Sequence, residues 1–467
     1  MLRSFVEKRN LTRLQLLIAS GVLAVSFYLA IVAARAYTPE SLLMDPVFLL
    51  LIVASIIVFL IARPIYGLVF LIIVSLVSLT QNSALMRYTN PAILLLFLLL
   101  ALWILDSAII KRKPVIFSAR PFLPLLMLVI SAVISFGVGQ LRWFTFARPA
   151  PLDAQIAGLA LFILSAGAFV LAAVQIIDYT WLKRLTWLFL IVGGTYIVIL
   201  LIPGPNMTLR TLFTKAVGTS IFWIWLVALS FSQSLFNKEL HIRWRILLAG
   251  LTIAALMVAM VRSFGWKSGW MPPLIALLVI IYFRSPKLAI GAIVVVAAFL
   301  LIRNLSPVLI QDDEYSYLTR VAAWEIILGK IYTVSPIFGL GPANYRFYTP
   351  LFSILGYNIQ FNSHNNYIDI LAQIGLVGLA AFVWFFFEVF RLGWALRARV
   401  SEGFALAYVN AALAGLIATL ISGFFGDWIV PFIYNIGIHG FQGSLLAWFF
   451  LGGLVALDRI MKEEAIG

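Results

Sequence analysis

The stretch FNSHNNYIDI holds His364, one of only three histidines in 467 residues. Imidazole titrates near neutrality, so this ring is a candidate proton acceptor or positioning group. Ser363 is placed to cap the helix that continues through LAQIGLVGLAAFVWFFF. That puts His364 in the first turn, where the helix dipole disfavours imidazolium and leaves a neutral ring. Asn365 and Asn366 add amide groups at the same edge. Cations accompany them. Arg320 lies one turn before Trp324, Arg346 follows the GLG of SPIFGLGPANYRF, Arg262 and Lys267 sit in VRSFGWKSGW, and Arg210 sits in PGPNMTLRTLFTK. Guanidinium groups grip phosphate oxygens bidentately, and Gly339 and Gly341 permit a tight turn whose amides would line an anion site. The chemistry suggested is an anion held by cations beside a ring able to accept a proton. Each residue also has a plainer reading: a snorkelling cation, an aromatic belt, a turn, or a polar group at a membrane edge.

These residues need elements to hold them. The chain is 63% hydrophobic and 11% charged, more apolar than a soluble protein of this size can bury. Apolar runs of about 16–24 residues recur from end to end, which favours helices over an outer-membrane barrel. The expected fold is an all-α polytopic membrane protein with about 12–14 transmembrane helices. The spans expected are 14–34, 47–62, 65–80, 92–110, 121–140, 154–177, 185–203, 213–236, 246–261, 270–283, 288–302, 367–390, 404–425 and 438–457. The first run is too long for a cleaved signal peptide and lacks a cleavage site. There is no cysteine, and three scattered histidines without HExxH predict no metal and no cofactor.

The net charge of +15 is read by side. With the amino terminus in the cytoplasm, the outside segments hold twelve of the 33 Lys and Arg: Arg35, Arg87, Arg142, Arg148, Arg210, Lys215, Arg262, Lys267, Arg303, Arg320, Lys330 and Arg346. The inside segments hold the other 21. This bias predicts both termini cytoplasmic, an inner (plasma) membrane location and residues 303–366 outside. Insertion explains most of the charge, so no nucleic acid partner is implied; the lipid bilayer is. The outside cations oppose insertion and ask for another explanation. Asp106, Asp178 and Glu388 lie near inner span ends, and Asp369 and Asp427 near outer ends. No span carries an acid at its centre, which weighs against an ion-coupled transporter.

The chain divides into an N-terminal bundle of about eleven spans (1–302), an outer loop (303–366) and about three final spans (367–467), together one membrane domain. Within the loop, residues 315–331 read as an amphipathic surface helix. Tyr317, Val321, Trp324, Leu328 and Ile331 recur on one face, with Thr319 and Lys330 opposite. The acids of QDDE suit its positive end.

The Arg320–Trp324 helix, then PIFGLGPANYRF, then SHNNYIDILAQIGLVGL entering a span, resembles the O-antigen ligase/polymerase superfamily over residues 317–382. The resemblance implies a metal-independent inverting glycosyltransferase of lipopolysaccharide biosynthesis, active on the periplasmic side of a bacterial inner membrane. It implies an undecaprenyl-diphosphate-linked glycan donor and a lipid or glycan acceptor. In ligases the acceptor is lipid A core; in polymerases it is another repeat unit, and no motif here separates the two. By the same resemblance His364 matches the family's loop histidine, as base or acceptor-positioning group, and Arg320 its loop arginine. Arg262 looks like the arginine at the end of an earlier span, with Arg210 a second candidate. Arg346 joins them as a diphosphate ligand, and Asn365, Gly339, Gly341 and Lys267 as supporting groups. A lipid-linked glycan flippase is the competing class.

Overall fold

The computed structural model describes residues 46–78, 90–107, 119–202, 207–262, 266–302 and 314–466. Its principal helices are α1 (Pro46–Ala62), α2 (Ile65–Leu76), α3 (Pro91–Leu105), α4 (Phe122–Val138), α5 (Leu152–Gln175), α6 (Tyr179–Leu201), α7 (Ser220–Phe236), α8 (Ile242–Arg262), α9 (Lys267–Arg284), α10 (Pro286–Ile302), α11 (Glu314–Ile326), α12 (Asn366–Arg399), α13 (Gly403–Phe425) and α14 (Gly437–Ile466). The chain is an all-α polytopic membrane protein: α5, α6, α8, α12, α13 and α14 are long and apolar enough to cross a membrane. Every expected span from 47–62 onward falls on a helix. The first expected span, 14–34, lies outside the described residues, as do Arg35, Arg87 and Arg303.

Two expected spans are trimmed for one reason. The span 65–80 stops at Leu76 and the span 213–236 starts at Ser220 because the two flanking segments pair with each other. Val77 forms an antiparallel bridge with Phe213, with Ser78 N–H donating to Leu212 O at 2.7 Å and Thr214 N–H to Leu76 O at 2.9 Å. Thr219 then caps α7. That helix is buried on nearly every side and lies in the middle, packed against α8, α9, α13 and α14. Trp225 on α7 stacks on Phe450 of α14 at 5.1 Å, and Trp448 stacks on Phe385 of α12 at 5.3 Å.

Helix α12 is broken. Gly375 sits at φ 71°, ψ −172°, a region open only to glycine, and the helix resumes beyond it. The interruption frees backbone groups that the loop 335–344 satisfies. Leu340 N–H donates to Ala372 O at 3.0 Å and Gly341 N–H to Gln373 O at 2.9 Å; Leu376 N–H donates to Pro336 O at 2.9 Å and Val377 N–H to Ile337 O at 3.2 Å. Ser135 Oγ on α4 donates to Gln373 O at 2.5 Å. Gly339 and Gly341 are therefore not an anion-binding turn. Both are buried with positive φ, and a side chain on Gly339 would run into the Gln373 carbonyl. Their amides are already taken by backbone carbonyls: Gly339 N–H donates to Ser335 O at 2.9 Å and Gly341 N–H to Gln373 O. The motif locks the loop into the broken helix.

A second, smaller core lies at this end of the bundle. It joins Ala323, Ile326, Ile327 and Ile331 to Tyr345 and Phe432. The loop helix is therefore rotated from expectation. Tyr317 is 65% exposed and Leu328 37%, while Ala323, Ile326 and Ile327 face inward. A π turn over Ile327–Ile331 widens the helix and carries both of its end residues to the buried side.

The α13–α14 connection is tied to the start of α12 by Asn366, which is fully buried. Its Nδ2 donates to Val430 O at 2.7 Å, and its Oδ1 accepts from Ile429 N–H at 2.7 Å. Asn366 is thus a brace, not a free amide at the edge. Asn366→Ala strands these buried peptide groups and is expected to cost roughly 2–4 kcal/mol, measured as a lowered unfolding midpoint in detergent.

Candidate functional site

A cavity of about 420 Å³ opens at this end, lined among others by Arg320, Arg346, Asn362, His364 and Asn435. It contains the central sequence candidates, drawn together from α11, the short helix Tyr345–Tyr348 and the approach to α12. None of the described residues lining it is acidic. Tyr357 and Gln360 complete a polar wall, and Ala323 and Ile354 an apolar one.

His364 is held by its neighbours' backbone bonds. Trp324 Nε1–H donates to Ser363 O at 2.7 Å. Tyr345 Oη accepts from Ser363 N–H at 3.2 Å and donates to Asp369 Oδ1 at 2.5 Å. Ser363 Oγ lies 2.6 Å from the same carboxylate oxygen. Burial, then the charge of Asp369, pushes the Tyr345 hydroxyl well above its usual range, so it stays a phenol and a donor. With Ser363 fixed on three sides, His364 takes φ 51°, a left-handed conformation that histidine tolerates better than most residues and that marks a constrained position.

The helix start differs from expectation. Ser363 is committed to Asp369, and Asn365 is the cap: its Oδ1 accepts from Tyr367 N–H at 2.9 Å and Ile368 N–H at 3.4 Å. His364 therefore precedes the cap and lies outside the first turn, and Asn365 spends its side chain on the helix. The neutral ring has a different cause from the dipole. Burial, followed by the positive charges of Arg320 and Arg346, holds His364 below its ordinary 6.5.

Arg346 is oriented before any ligand arrives. Its Nη1 donates to Asn362 Oδ1 and Tyr434 O, both at 2.9 Å, its Nε reaches Gln360 Oε1 at 3.4 Å, and its guanidinium stacks on the Tyr434 ring at 5.2 Å. These partners are neutral, so its charge is undiminished. Among the described residues neither Arg320 nor Arg346 pairs with a carboxylate. Two guanidinium groups with no carboxylate partner among the described residues, beside an imidazole, are an arrangement suited to an anion. The described residues contain no cluster of His, Cys, Asp or Glu able to hold a metal ion.

No protein-family model matches the chain. No curated protein matches it.

The remaining candidates lie elsewhere. Arg210 ends a short helix, Met207–Arg210, and Lys267 opens α9; neither lines the cavity. Arg262 is the last residue of α8, and its side chain lies outside the described residues. Sequence reading misses Asn362, Gln360, Tyr434 and Asn435. Asn435 is a lone amide in the connection from α13 to α14, and only the fold carries it to His364. The nearest sequence signal is Asp427, an acid at a span end. Its Oδ1 accepts from Asn435 Nδ2 and its Oδ2 from Phe432 N–H at 2.6 Å. Burial pushes this carboxyl upward, against the bonds that Phe432 and Asn435 donate.

Proposed function

We propose that this protein is a membrane glycosyltransferase that moves a glycan from an undecaprenyl-diphosphate carrier to an acceptor hydroxyl, with lipid A core as the acceptor of an O-antigen ligase. The observation that carries this reading is the cavity in which Arg320, Arg346 and His364 meet with no lining carboxylate. A diphosphate is a good leaving group whose departure concentrates negative charge. Two guanidinium groups meet that charge bidentately as it grows, which favours the transition state over the bound donor. Arg346, already clamped by three acceptors, loses little freedom on binding, whereas Arg320 supplies a charge free of protein partners among the described residues. The acceptor oxygen attacks the anomeric carbon opposite the diphosphate, so a single displacement inverts that centre. His364 handles the acceptor or the leaving group from the same wall. The charge bias supports cytoplasmic termini and a cavity at the periplasmic face of the inner membrane, where a flipped lipid-linked glycan is found.

The test is reconstitution in vesicles with a polyprenyl-diphosphate glycan and either lipid A core or a second donor as acceptor. A single glycan joined to lipid A core supports the ligase, a ladder of lengthening glycans the polymerase, and movement of donor across the bilayer without a new bond the flippase. Arg320→Ala is expected to lower transfer about 10–100-fold, the worth of one charge-assisted contact of about 1.5–3 kcal/mol. Arg320→Lys is expected to recover only part of it, since an ammonium cannot bind two phosphate oxygens in a fork. Full turnover in Arg320→Lys would overturn the bidentate role.

A further inference from the structure

We propose that Asp427 and Asn435 are positioning residues that hold His364 as its Nε2–H tautomer, so that the ring presents a hydrogen-bond donor, and not a base, to the cavity. The argument begins at Asp427, which is fully buried at the end of α13. Its two oxygens take donors from opposite directions, Phe432 N–H and the side chain of Asn435. A carboxylate only accepts, so the end of the Asn435 amide that faces it must be the NH₂. Chemistry thereby fixes an orientation that amide shape alone leaves ambiguous. The same nitrogen lies 3.1 Å from His364 Nδ1. An NH₂ has two hydrogens; one goes to Asp427 and the other points at the ring. Nδ1 must then accept.

In a neutral imidazole one nitrogen accepts and the other carries the proton. With Nδ1 accepting, the proton sits on Nε2. Among the described residues Nε2 has no partner, and the ring lines the same cavity as Arg320 and Arg346. Turning the amide over would set Asn435 Oδ1 against an oxygen of the buried Asp427, acceptor against acceptor, and leave that carboxylate oxygen without its donor. A protonated ring would meet the same objection at Nδ1, as donor against donor.

The functional meaning of this tautomer rests on the transferase reading. In that reaction the acceptor oxygen forms a bond to the anomeric carbon as the bond to the diphosphate oxygen breaks, its electron pair leaving with the diphosphate. The hydroxyl proton is released to bulk water on the side of the acceptor, and the diphosphate departs as an anion held by the two guanidinium groups. His364 Nε2–H donates to the oxygen on which charge develops, a third donor beside the two guanidinium groups. Asp427 does not line the cavity, and Asn435, on its wall, spends its amide on Asp427 and Nδ1; both act through the ring.

The decisive measurement is nitrogen-15 NMR of histidine-labelled protein in lipid bilayers at pH 8, in a His241→Gln, His439→Gln background that leaves His364 as the single signal. The expected result is a pyrrole-type Nε2 and a pyridine-type Nδ1. A pyrrole-type Nδ1 in this protein overturns the proposal, whether or not the protein transfers glycan. Asn435→Asp puts a carboxylate oxygen opposite Nδ1 and is expected to make the two signals exchange places. Its transfer rate is expected to fall about tenfold or more as the cavity loses its donor. Asn435→Ala removes the constraint without refilling it, so both tautomers are expected to appear. An unchanged single tautomer in both variants would show that Asn435 does not select it. The Nε2–H signal in a protein that performs no transfer would leave the relay standing and remove the transferase reading.

Discussion

Gly375→Ala is expected to abolish the folded state of the cavity end, at a cost of roughly 4–5 kcal/mol or more. The backbone there, φ 71° and ψ −172°, is closed to alanine, and a side chain would run into the Ile337 carbonyl. The obstacle is backbone and not the mobile end of a side chain, so relief requires moving the loop. Moving the loop breaks the four hydrogen bonds that run between residues 336–341 and residues 372–377. Each broken bond leaves buried polar groups worth about 1–3 kcal/mol. The measurement is folded yield and unfolding midpoint in detergent, set against Gly137→Ala. Gly137 lies near the end of α4, and a methyl group added there would meet nothing within 4 Å, so that substitution is expected to be neutral or mildly stabilising. Equal behaviour of the two variants would sink the account of the broken helix.

Much of this architecture is legible in the sequence because lipid makes one severe demand. Each span must satisfy its own backbone, so helices announce themselves as apolar runs. Departures occur where segments distant in sequence supply each other's partners. Residues 371–379 read as an unbroken helix, since glycine is ordinary in transmembrane helices. The break at Gly375 exists only because a loop more than thirty residues earlier fills the gap. The same loop explains why GLG reads as an anion turn and is not one. Two glycines signal a tight backbone equally whether the partner is an anion or a carbonyl, and only contact decides which.

The cavity follows the same rule. His364 and Arg320 stand out in the sequence because a titratable ring and an outside cation are costly in an apolar chain. In SHNN either Ser363 or Asn365 can cap a helix; the buried Asp369 takes the serine and leaves the asparagine. The buried face of the loop helix departs from its periodicity at Ala323 and Ile326, and beyond them a π turn shifts the phase again and buries Ile327 and Ile331, whereas periodicity assumes a constant 3.6. Asn435 is invisible in the sequence for a plainer reason: its partner His364 lies 71 residues away.

His364→Ala is expected to lower glycan transfer about 10²–10³-fold, the loss that follows removal of one donor aimed at developing charge. It is expected to leave the protein folded, at a cost of about 1 kcal/mol, because alanine sits less easily than histidine at φ 51°. The only hydrogen bond the ring makes among the described residues is to the exposed Asn435, so few native contacts depend on it. The combination of lost turnover with a folded protein and a midpoint no lower than that of His364→Gln separates a role in the reaction from a role in the fold. His364→Gln sharpens the test. Its amide nitrogen reaches the neighbourhood of Nε2 and donates, but the side chain cannot act as a base near neutrality. A donor role therefore predicts partial recovery of the transfer rate in Gln over Ala. A base role predicts that Gln and Ala are equally inactive, with a loss of about 10²–10⁴-fold. Undiminished transfer in His364→Ala would remove the histidine from the reaction altogether and leave the arginines to carry it.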